Sequence, residues 1–281
     1  MYKKISGFSD EISENIDVQF ETLNRLGIKW FEPRGVNGIN VANLSDGERS
    51  ELLEKMKKYQ IKVSSVGSPI GKVKIKEDFS EHFERFKRVV DTAEFLGTKY
   101  IRIFSFYHDS EEEWSHGERK EVLSRLSKMV DYAKERDIVL LHENEKNIYG
   151  DTAERCLDLM QNLACAHFKA VFDPANFVQC NEDTLNAYHL LKPYIAYMHI
   201  KDVDKNGNIV PAGYGEGHVE EILRDLFANG YDGFLSLEPH LGSFTGLGEL
   251  ETDDKMEKLE KSSEEKFILA FDSLKKILER I

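Results

Sequence analysis

The segment Val139-Leu140-Leu141-His142-Glu143-Asn144 joins an apolar run to a carboxylate at the point where the run ends. Three later segments have the same form, with an ionisable residue at or beside the end of an apolar run, and they occupy residues 169–173, 195–200 and 233–238. These runs mostly lack polar alternation. Such continuous apolarity indicates strands that are buried on both faces, as in a parallel sheet covered by helices.

Apolar runs of this kind recur along the whole chain, roughly once every 30 residues, as expected for a repeated strand–helix unit. Helical patterns separate them, with capping-box starts predicted at Ser45, Ser110 and Ser262. Eight such units predict an α/β fold, a single (β/α)8 TIM barrel domain over residues 1–281. The rival, a doubly wound open sheet, usually has a Gly-rich phosphate loop after its first strand, and Gly7-Phe8-Ser9-Asp10-Glu11 is not one. The predicted strands are residues 5–9, 29–32, 61–66, 100–104, 138–143, 169–173, 195–200 and 233–238.

Composition excludes several classes of protein. The 281 residues carry a net charge of −13 and are 41% hydrophobic, which is too apolar for a disordered chain. The negative charge disfavours nucleic acids and anionic lipid as partners. There is no apolar stretch long enough for a membrane span or a signal peptide. Three cysteines without a C-x-x-C pair indicate reduced thiols, so we expect a cytoplasmic protein.

Four successive predicted strands end in chemically capable side chains: Glu143, Asp173, His199 and Glu238. Barrel active sites lie at the C-terminal ends of the strands, and neighbouring strands are about 4.8 Å apart. The four side chains can therefore converge, and three carboxylates gathered there would repel one another unless a cation held them. The sequence predicts one divalent metal ion. The oxygen majority favours Mn²⁺ or Mg²⁺, and the imidazole admits Co²⁺ or Zn²⁺.

With these residues in place, the sequence resembles the xylose-isomerase-like barrels of the sugar phosphate isomerase/epimerase superfamily. That group includes ketose 3-epimerases, inosose dehydratases and type IV abasic-site endonucleases. The resemblance covers essentially the whole chain and is carried by Leu141-His142-Glu143-Asn144, Phe172-Asp173-Pro174-Ala175-Asn176, His199-Ile200-Lys201-Asp202, Gly213-Tyr214-Gly215-Glu216-Gly217 and Leu237-Glu238-Pro239-His240.

The resemblance implies that Glu143, Asp173, His199 and Glu238 hold the metal and that the two glutamates also act as acid and base. The chain departs from the epimerase pattern at two positions. Asn176 stands where epimerases commonly have His, and Lys205 stands where they often have Arg. Both family residues help to hold substrate, so the departures leave the substrate open and keep the metal set intact.

Further residues are candidates for contact with substrate, each with a structural alternative. Glu32 could face the pocket or pair with a nearby cation, and Arg102 could reach a substrate oxygen or pair with Glu143. Lys201 could bind a hydroxyl while Asp202 orients it. The negative Glu216 disfavours phosphate in its Gly-rich loop and favours a neutral sugar, polyol or keto acid. The full substrate-binding set is Glu32, Arg102, Asn176, Lys201, Asp202, Glu216 and His240.

The predicted function is that of a metal-dependent isomerase or epimerase of a sugar, polyol or related hydroxy-carbonyl compound. Glu143 and Glu238 would transfer the proton through an enediolate held by the metal. The alternatives are a dehydratase of the inosose or keto-acid type, an abasic-site endonuclease, and a non-catalytic sugar-binding barrel. A homo-oligomer is compatible with the sequence. Residues 241–262, Gly-rich and then strongly charged, are either a solvated loop or a lid over the strand ends.

Overall fold

The computed structural model describes residues 4–110, 112–241 and 263–281. Eight short parallel segments line the barrel, and the third of them is split in two. The strands are β1 (Lys4–Gly7), β2 (Trp30–Phe31), β3 (Lys62–Val63 and Val66–Gly67), β4 (Tyr100–Ile103), β5 (Val139–Glu143), β6 (Phe168–Phe172), β7 (Ile195–Ile200) and β8 (Phe234–Leu237).

The strands close into a ring. A seven-stranded sheet runs β1–β8–β7–β6–β5–β4 and ends on the second piece of β3. The first piece of β3 pairs in parallel with β2, and the backbone N–H of Glu32 donates to the carbonyl of Gly7 at 2.9 Å, which joins β2 to β1. The predicted TIM barrel is therefore confirmed. The strands β2 and β3 are shorter than predicted.

Helices alternate with the strands on the outside of the ring. They are α1 (Ile16–Arg25), α2 (Asp46–Tyr59), α3 (Phe79–Leu96), α4 (His116–Glu135), α5 (Ala153–Leu163), α6 (Pro174–Gln179), α7 (Thr184–Leu191), α8 (Val219–Ala228) and α9 (Ser263–Leu278). Four 3-10 turns lie at Ser9–Glu11, Val41–Asn43, Tyr149–Asp151 and Lys192–Tyr194. No helix in the described ranges is both long enough and apolar enough to cross a membrane.

Two of the predicted helix starts can be compared with the structure. The capping box at Ser45 is confirmed, since Ser45 and Glu48 bond reciprocally at the start of α2. The box predicted at Ser110 is wrong, because α4 begins later, where Ser115 and Glu118 form the box. The start at Ser262 falls outside the described residues, and so does the lid predicted over residues 241–262 apart from Leu241.

The helices and the barrel wall enclose most of the core, whereas the lumen holds only a small apolar cluster of Leu141, Val171 and Tyr197. Above it the lumen is polar, with Ser6, Glu32, Ser64, Ser236 and Arg102 all buried. Barrel interiors are usually filled by branched apolar side chains. The polar upper lumen therefore marks the C-terminal end as the functional end.

The buried His82 on α3 should make stability depend on pH. Its Nε2 accepts a hydrogen bond from the backbone N–H of Gly71 at 3.0 Å. Burial first, and then the cations Arg85 and Arg125, lower the pKa of His82 to about 4. As the pH falls from 6.5 to 4, His82 becomes protonated in the unfolded chain but stays neutral in the folded protein. The free energy of unfolding therefore decreases.

Over this pH range, we expect the free energy of unfolding of His82→Gln to fall by about 2–3 kcal/mol less than that of the parent. Gln keeps an acceptor for the Gly71 N–H and does not titrate. Urea unfolding at pH 6.5 and pH 4.5 measures the difference. Identical pH dependence in the two proteins would show that His82 does not contribute.

Candidate metal centre

Four neighbouring strands deliver the four predicted metal ligands to one place. Glu143 is the last residue of β5, and Asp173 directly follows β6. His199 lies near the end of β7, and Glu238 directly follows β8. Because β5, β6, β7 and β8 are hydrogen-bonded neighbours in that order, the side chains converge over the C-terminal mouth of the barrel. All four are at most 2% exposed.

The His199 imidazole stands between the two glutamates. Its Nδ1 lies 2.8 Å from Oε1 of Glu143 and 3.2 Å from Oε2 of Glu238. The phenyl ring of Phe8 packs edge-on against the imidazole, with 5.2 Å between ring centres. One nitrogen of His199 and one oxygen of each glutamate therefore point into a common space.

The two carboxylate oxygens of Asp173 have different partners. Oδ1 caps α6 by accepting from the backbone N–H of Asn176 at 3.1 Å, and Pro174 begins that helix. Oδ2 lies 3.2 Å from Nζ of Lys201. The amide of Asn144 bonds both the N–H and the carbonyl of Asp173, which fixes its backbone. Asp173 is therefore the N-cap of α6 through Oδ1, and Oδ2 faces the site.

The residues fit a divalent cation. One donor atom from each of Glu143, Asp173, His199 and Glu238 lies within 4.8 Å of the other three. Within the described residues, Oδ2 of Asp173 and Oε2 of Glu238 are buried and make no hydrogen bond of good geometry, although Lys201 Nζ lies 3.2 Å from the first and His199 Nδ1 lies 3.2 Å from the second. Buried carboxylate oxygens in this state are costly, and a metal ion would satisfy them. Three carboxylates and one imidazole are also a common donor set for Mg²⁺, Mn²⁺ and related ions.

The electrostatics of the four-residue cluster show the same need for positive charge. Burial, then the neighbouring Glu238 and Glu143, raise the pKa of Asp173 to about 7 against the opposing effect of Lys201. Burial alone would lower the pKa of His199, but the carboxylates around it hold that pKa well above its ordinary value. A cation in the cluster would release the His199 proton and keep Asp173 ionised.

Two of the predicted substrate contacts lie against Glu143. Nη1 of Arg102 donates to Oε2 of Glu143 at 3.0 Å, and the guanidinium packs over the rings of Phe8 and Phe104. Nδ2 of Asn176 donates to the Asn144 carbonyl at 2.8 Å and lies 3.4 Å from Oε1 of Glu143. Burial opposes ionisation of Glu143, yet His199 and Arg102 lower its pKa to about 2.

A second network, of which the sequence analysis named His240 alone, supports Glu238. Arg34 donates to both oxygens of Asp10, at 2.9 and 3.1 Å, and also reaches Glu11 and Glu238 at 3.2 and 3.3 Å. His240 lies 3.2 Å from Oε1 of Glu238, and its backbone N–H donates to Glu11 at 2.7 Å. Asp10 and Glu11 follow the end of β1. The search for ionisable residues at strand ends, which found the four metal ligands, could therefore also have found these two carboxylates.

The remaining predicted contacts lie elsewhere. Glu32 is buried in the lumen, where Tyr197 and Ser236 donate to its Oε2 at 2.8 and 2.7 Å. Glu216 is exposed, in contrast to the buried ligand set. The carboxylate of Asp202 is buried and accepts hydrogen bonds from four backbone N–H groups. Its donors are Val203, Gly213, Gly215 and Gly217.

The contact between Asp202 and its Gly-rich loop gives a stability prediction. A Cβ added at Gly215 would lie 2.4 Å from Oδ1 of Asp202 and 2.4 Å from the Val203 carbonyl. We expect Gly215→Ala to destabilise the protein by about 1–3 kcal/mol through overpacking. Gly47, in the first turn of α2, has only Ser45 Oγ at 4.0 Å, so Gly47→Ala should be neutral or stabilising. Urea unfolding measures the free energy of unfolding of both variants. An equal change in the two variants would contradict the prediction.

Comparisons with known proteins agree with this architecture. The family model for xylose isomerase-like TIM barrels matches residues 20–262. A 3-dehydroshikimate dehydratase from Bacillus anthracis is 22% identical over 239 residues, which is 79% of this chain and 83% of that protein.

Solved structures share the fold at low sequence identity. An L-ribulose 3-epimerase has a TM-score of 0.79 and 17% identity, over 99% of this chain and 95% of that chain. A xylose isomerase-like protein from Mycobacterium smegmatis, in complex with magnesium, has a TM-score of 0.72 and 16% identity, over 99% and 100% of the two chains. Because the family model spans most of the sequence and these barrels share its fold, the chain belongs to the xylose isomerase-like TIM barrel family.

Proposed function

We propose that this protein is a divalent-metal-dependent isomerase or epimerase of an uncharged sugar, polyol or related hydroxy-carbonyl compound. The observation that carries the proposal is the buried set of Glu143, Asp173, His199 and Glu238, whose donor atoms lie within 4.8 Å of one another. Relatives in the family are named as epimerases and as a dehydratase, so an enzyme is the natural expectation.

Within this set the metal, when bound, would polarise a carbonyl and acidify the neighbouring C–H group. Glu143 and Glu238 each have an oxygen within 3.2 Å of Nδ1 of His199, so both carboxylates lie beside the same point of the site. One glutamate would remove the carbon-bound proton and the other would return a proton from the opposite face. This exchange inverts the carbon centre.

The neighbours of the two glutamates favour their basic forms. The Arg102 guanidinium bonds Glu143. Burial opposes ionisation of Glu238, but Lys201, His240 and His199 hold its pKa well below the usual range. A carboxylate that is ionised at neutral pH can act as the base, and the other glutamate, which its neighbours also keep ionised, must first take up a proton from solvent before it can act as the acid.

The charges around the site support an uncharged substrate. The buried cations of the described site already pair with carboxylates: Arg102 with Glu143, Arg34 with Asp10, and Lys201 with Asp173. A phosphate or carboxylate on the substrate would have to compete with these buried pairs, which is costly. The hydroxyl and carbonyl groups of an uncharged substrate would not have to compete with these ion pairs.

A dehydratase is the second candidate, because the curated relative at 22% identity is a 3-dehydroshikimate dehydratase. The same two glutamates could remove a proton and help expel water β to a carbonyl. A multi-zinc abasic-site endonuclease has less support, because His199 is the one histidine in the clustered ligand set of the described residues.

Turnover in D2O with Mn²⁺ separates these reactions. We expect neutral ketoses and keto polyols to gain one deuterium at the inverted carbon with no loss of water, and to react at least tenfold faster than their phosphorylated forms. Loss of 18 mass units would instead establish the dehydratase, with 3-dehydroshikimate as the first acid to try. If the metal-loaded protein exchanges no carbon-bound proton of any of these compounds, the result would favour a non-catalytic binding barrel.

A further inference from the structure

Glu32 is a buried carboxylate that the proposed proton transfer does not use. It follows β2, is 1% exposed and projects into the polar upper lumen. Its Oε2 accepts hydrogen bonds from Tyr197 Oη at 2.8 Å and from Ser236 Oγ at 2.7 Å. Tyr197 is also 2.9 Å from Ser64 Oγ, so the carboxylate is held from β3, β7 and β8.

Sequence spacing places this network one layer below the metal ligands. Tyr197 precedes His199 by two residues on β7, and Ser236 precedes Glu238 by two residues on β8. Residues two apart on a strand lie on the same face at successive levels. Glu32 therefore lies beneath the ligand set, on the side away from the mouth of the barrel where substrate would enter.

The imidazole of His199 links the two layers. Its Nδ1 faces Glu143 and Glu238, whereas its Nε2 faces down and lies 3.4 Å from Oε2 of Glu32. Within the described residues, Nε2 of His199 and Oε1 of Glu32 are both buried without a hydrogen-bond partner. An N–H group at Nε2 of His199 is therefore placed to donate to the Glu32 carboxylate after a small rotation.

We infer that Glu32 is a positioning residue for the metal centre: it accepts the Nε2–H of His199 and so directs the Nδ1 lone pair at the metal. A ligating histidine must be neutral, and its other nitrogen commonly donates to a carboxylate that fixes the tautomer and the ring orientation. The inference rests on the metal centre proposed above. It replaces the substrate contact that the sequence suggested for Glu32.

A purely structural role explains less. The two hydroxyl groups bond only Oε2, and a buried carboxylate held by neutral donors alone would be expensive in a barrel lumen. The imidazolium or imidazole N–H of His199 is the nearby group that can offset this cost. The same carboxylate sets the orientation of the only imidazole in the ligand set.

The test compares Glu32→Gln and Glu32→Leu with the parent, and uses Ser6→Ala as the matched control. Ser6 lies in the same buried layer and bonds Ser64 at 2.6 Å, three hydrogen bonds away from Glu32 through Tyr197 and Ser64. Mn²⁺ affinity is measured by titration calorimetry, with thermal unfolding to establish that each variant folds. We expect Glu32→Leu to bind Mn²⁺ about 10–100-fold more weakly, Glu32→Gln to fall between, and Ser6→Ala to stay within threefold of the parent.

A second readout follows the imidazole directly. In the Mg²⁺-loaded parent, ¹⁵N spectra of the histidine rings should show His199 protonated at Nε2 only, and Glu32→Gln should weaken or broaden that signal. If the parent itself binds no Mn²⁺, the metal centre fails and this role fails with it. If the parent binds but both Glu32 variants match it within threefold and keep the same His199 tautomer, the positioning role alone is overturned. Should Glu32→Leu not fold, Glu32→Gln decides through the tautomer spectrum.

Discussion

Replacing Glu143 or Glu238 by Gln is expected to lower kcat by about 10²–10⁴-fold with any accepted substrate, even at saturating metal. Gln is nearly isosteric and its carbonyl can still face a metal ion, but it has no basic lone pair that accepts a carbon-bound proton. Gln at residue 143 can also still accept from Arg102, which donates to Glu143 at 3.0 Å in the parent. Folding should therefore survive, and thermal unfolding of each variant checks that it does.

Steady-state kinetics over a Mn²⁺ series separate proton transfer from ligation. Asp173→Asn should keep the cap of α6, because Asn is as good an N-cap as Asp, and should lose activity mainly through weaker metal binding. Added Mn²⁺ should restore part of that activity and little of the activity of the Gln variants. The control is Asp232→Asn. Asp232 is exposed and lies just before the N-terminal end of β8, so this change should leave both activity and metal binding unaltered.

Activity of Glu143→Gln or Glu238→Gln within about tenfold of the parent would remove that residue from proton transfer. Equal rescue of all three variants by metal would show that the glutamates are ligands alone. Because the two glutamates act on one carbon, the double variant should be little worse than the poorer single variant.

Binding of Mn²⁺ or Mg²⁺ should stabilise the folded protein strongly, because the ligands are gathered only in the folded state. At free metal near 100 times Kd, the free energy of unfolding should rise by about 2.7 kcal/mol. For a chain of this size that corresponds to a rise in Tm of roughly 5 °C. The electrostatic reason is that burial, together with repulsion from Glu238 and Glu143, raises the pKa of Asp173 to about 7, and a cation offsets both effects.

Differential scanning calorimetry of chelator-treated protein with increasing metal measures this shift. Asp173→Asn should displace the curve to higher metal concentration, and Asp232→Asn should leave it unchanged. A Tm independent of Mn²⁺, Mg²⁺, Co²⁺ and Zn²⁺ up to millimolar levels would contradict a metal centre in this cluster. Chelation should also abolish turnover, and added metal should restore it.

Much of the barrel could be predicted from sequence because its strands carry a local signature. Continuous apolar runs specify burial on both faces, and their regular recurrence specifies the repeated unit. The split of β3 and the start of α4 could not be predicted in this way. Ser110 and Ser115 each begin an S-x-x-E pattern, and only the packed loop decides that Ser115 caps the helix.

The sequence by itself determined which four strand ends carry Glu143, Asp173, His199 and Glu238, because each follows an apolar run by local spacing. Their partners were decided only by closure of the ring. Arg34 reaches Glu238 across 204 residues of sequence, and Tyr197 reaches Glu32 across 165. A local pattern reports which side chain is buried at a strand end, whereas the group it meets there depends on which distant strand the barrel brings alongside.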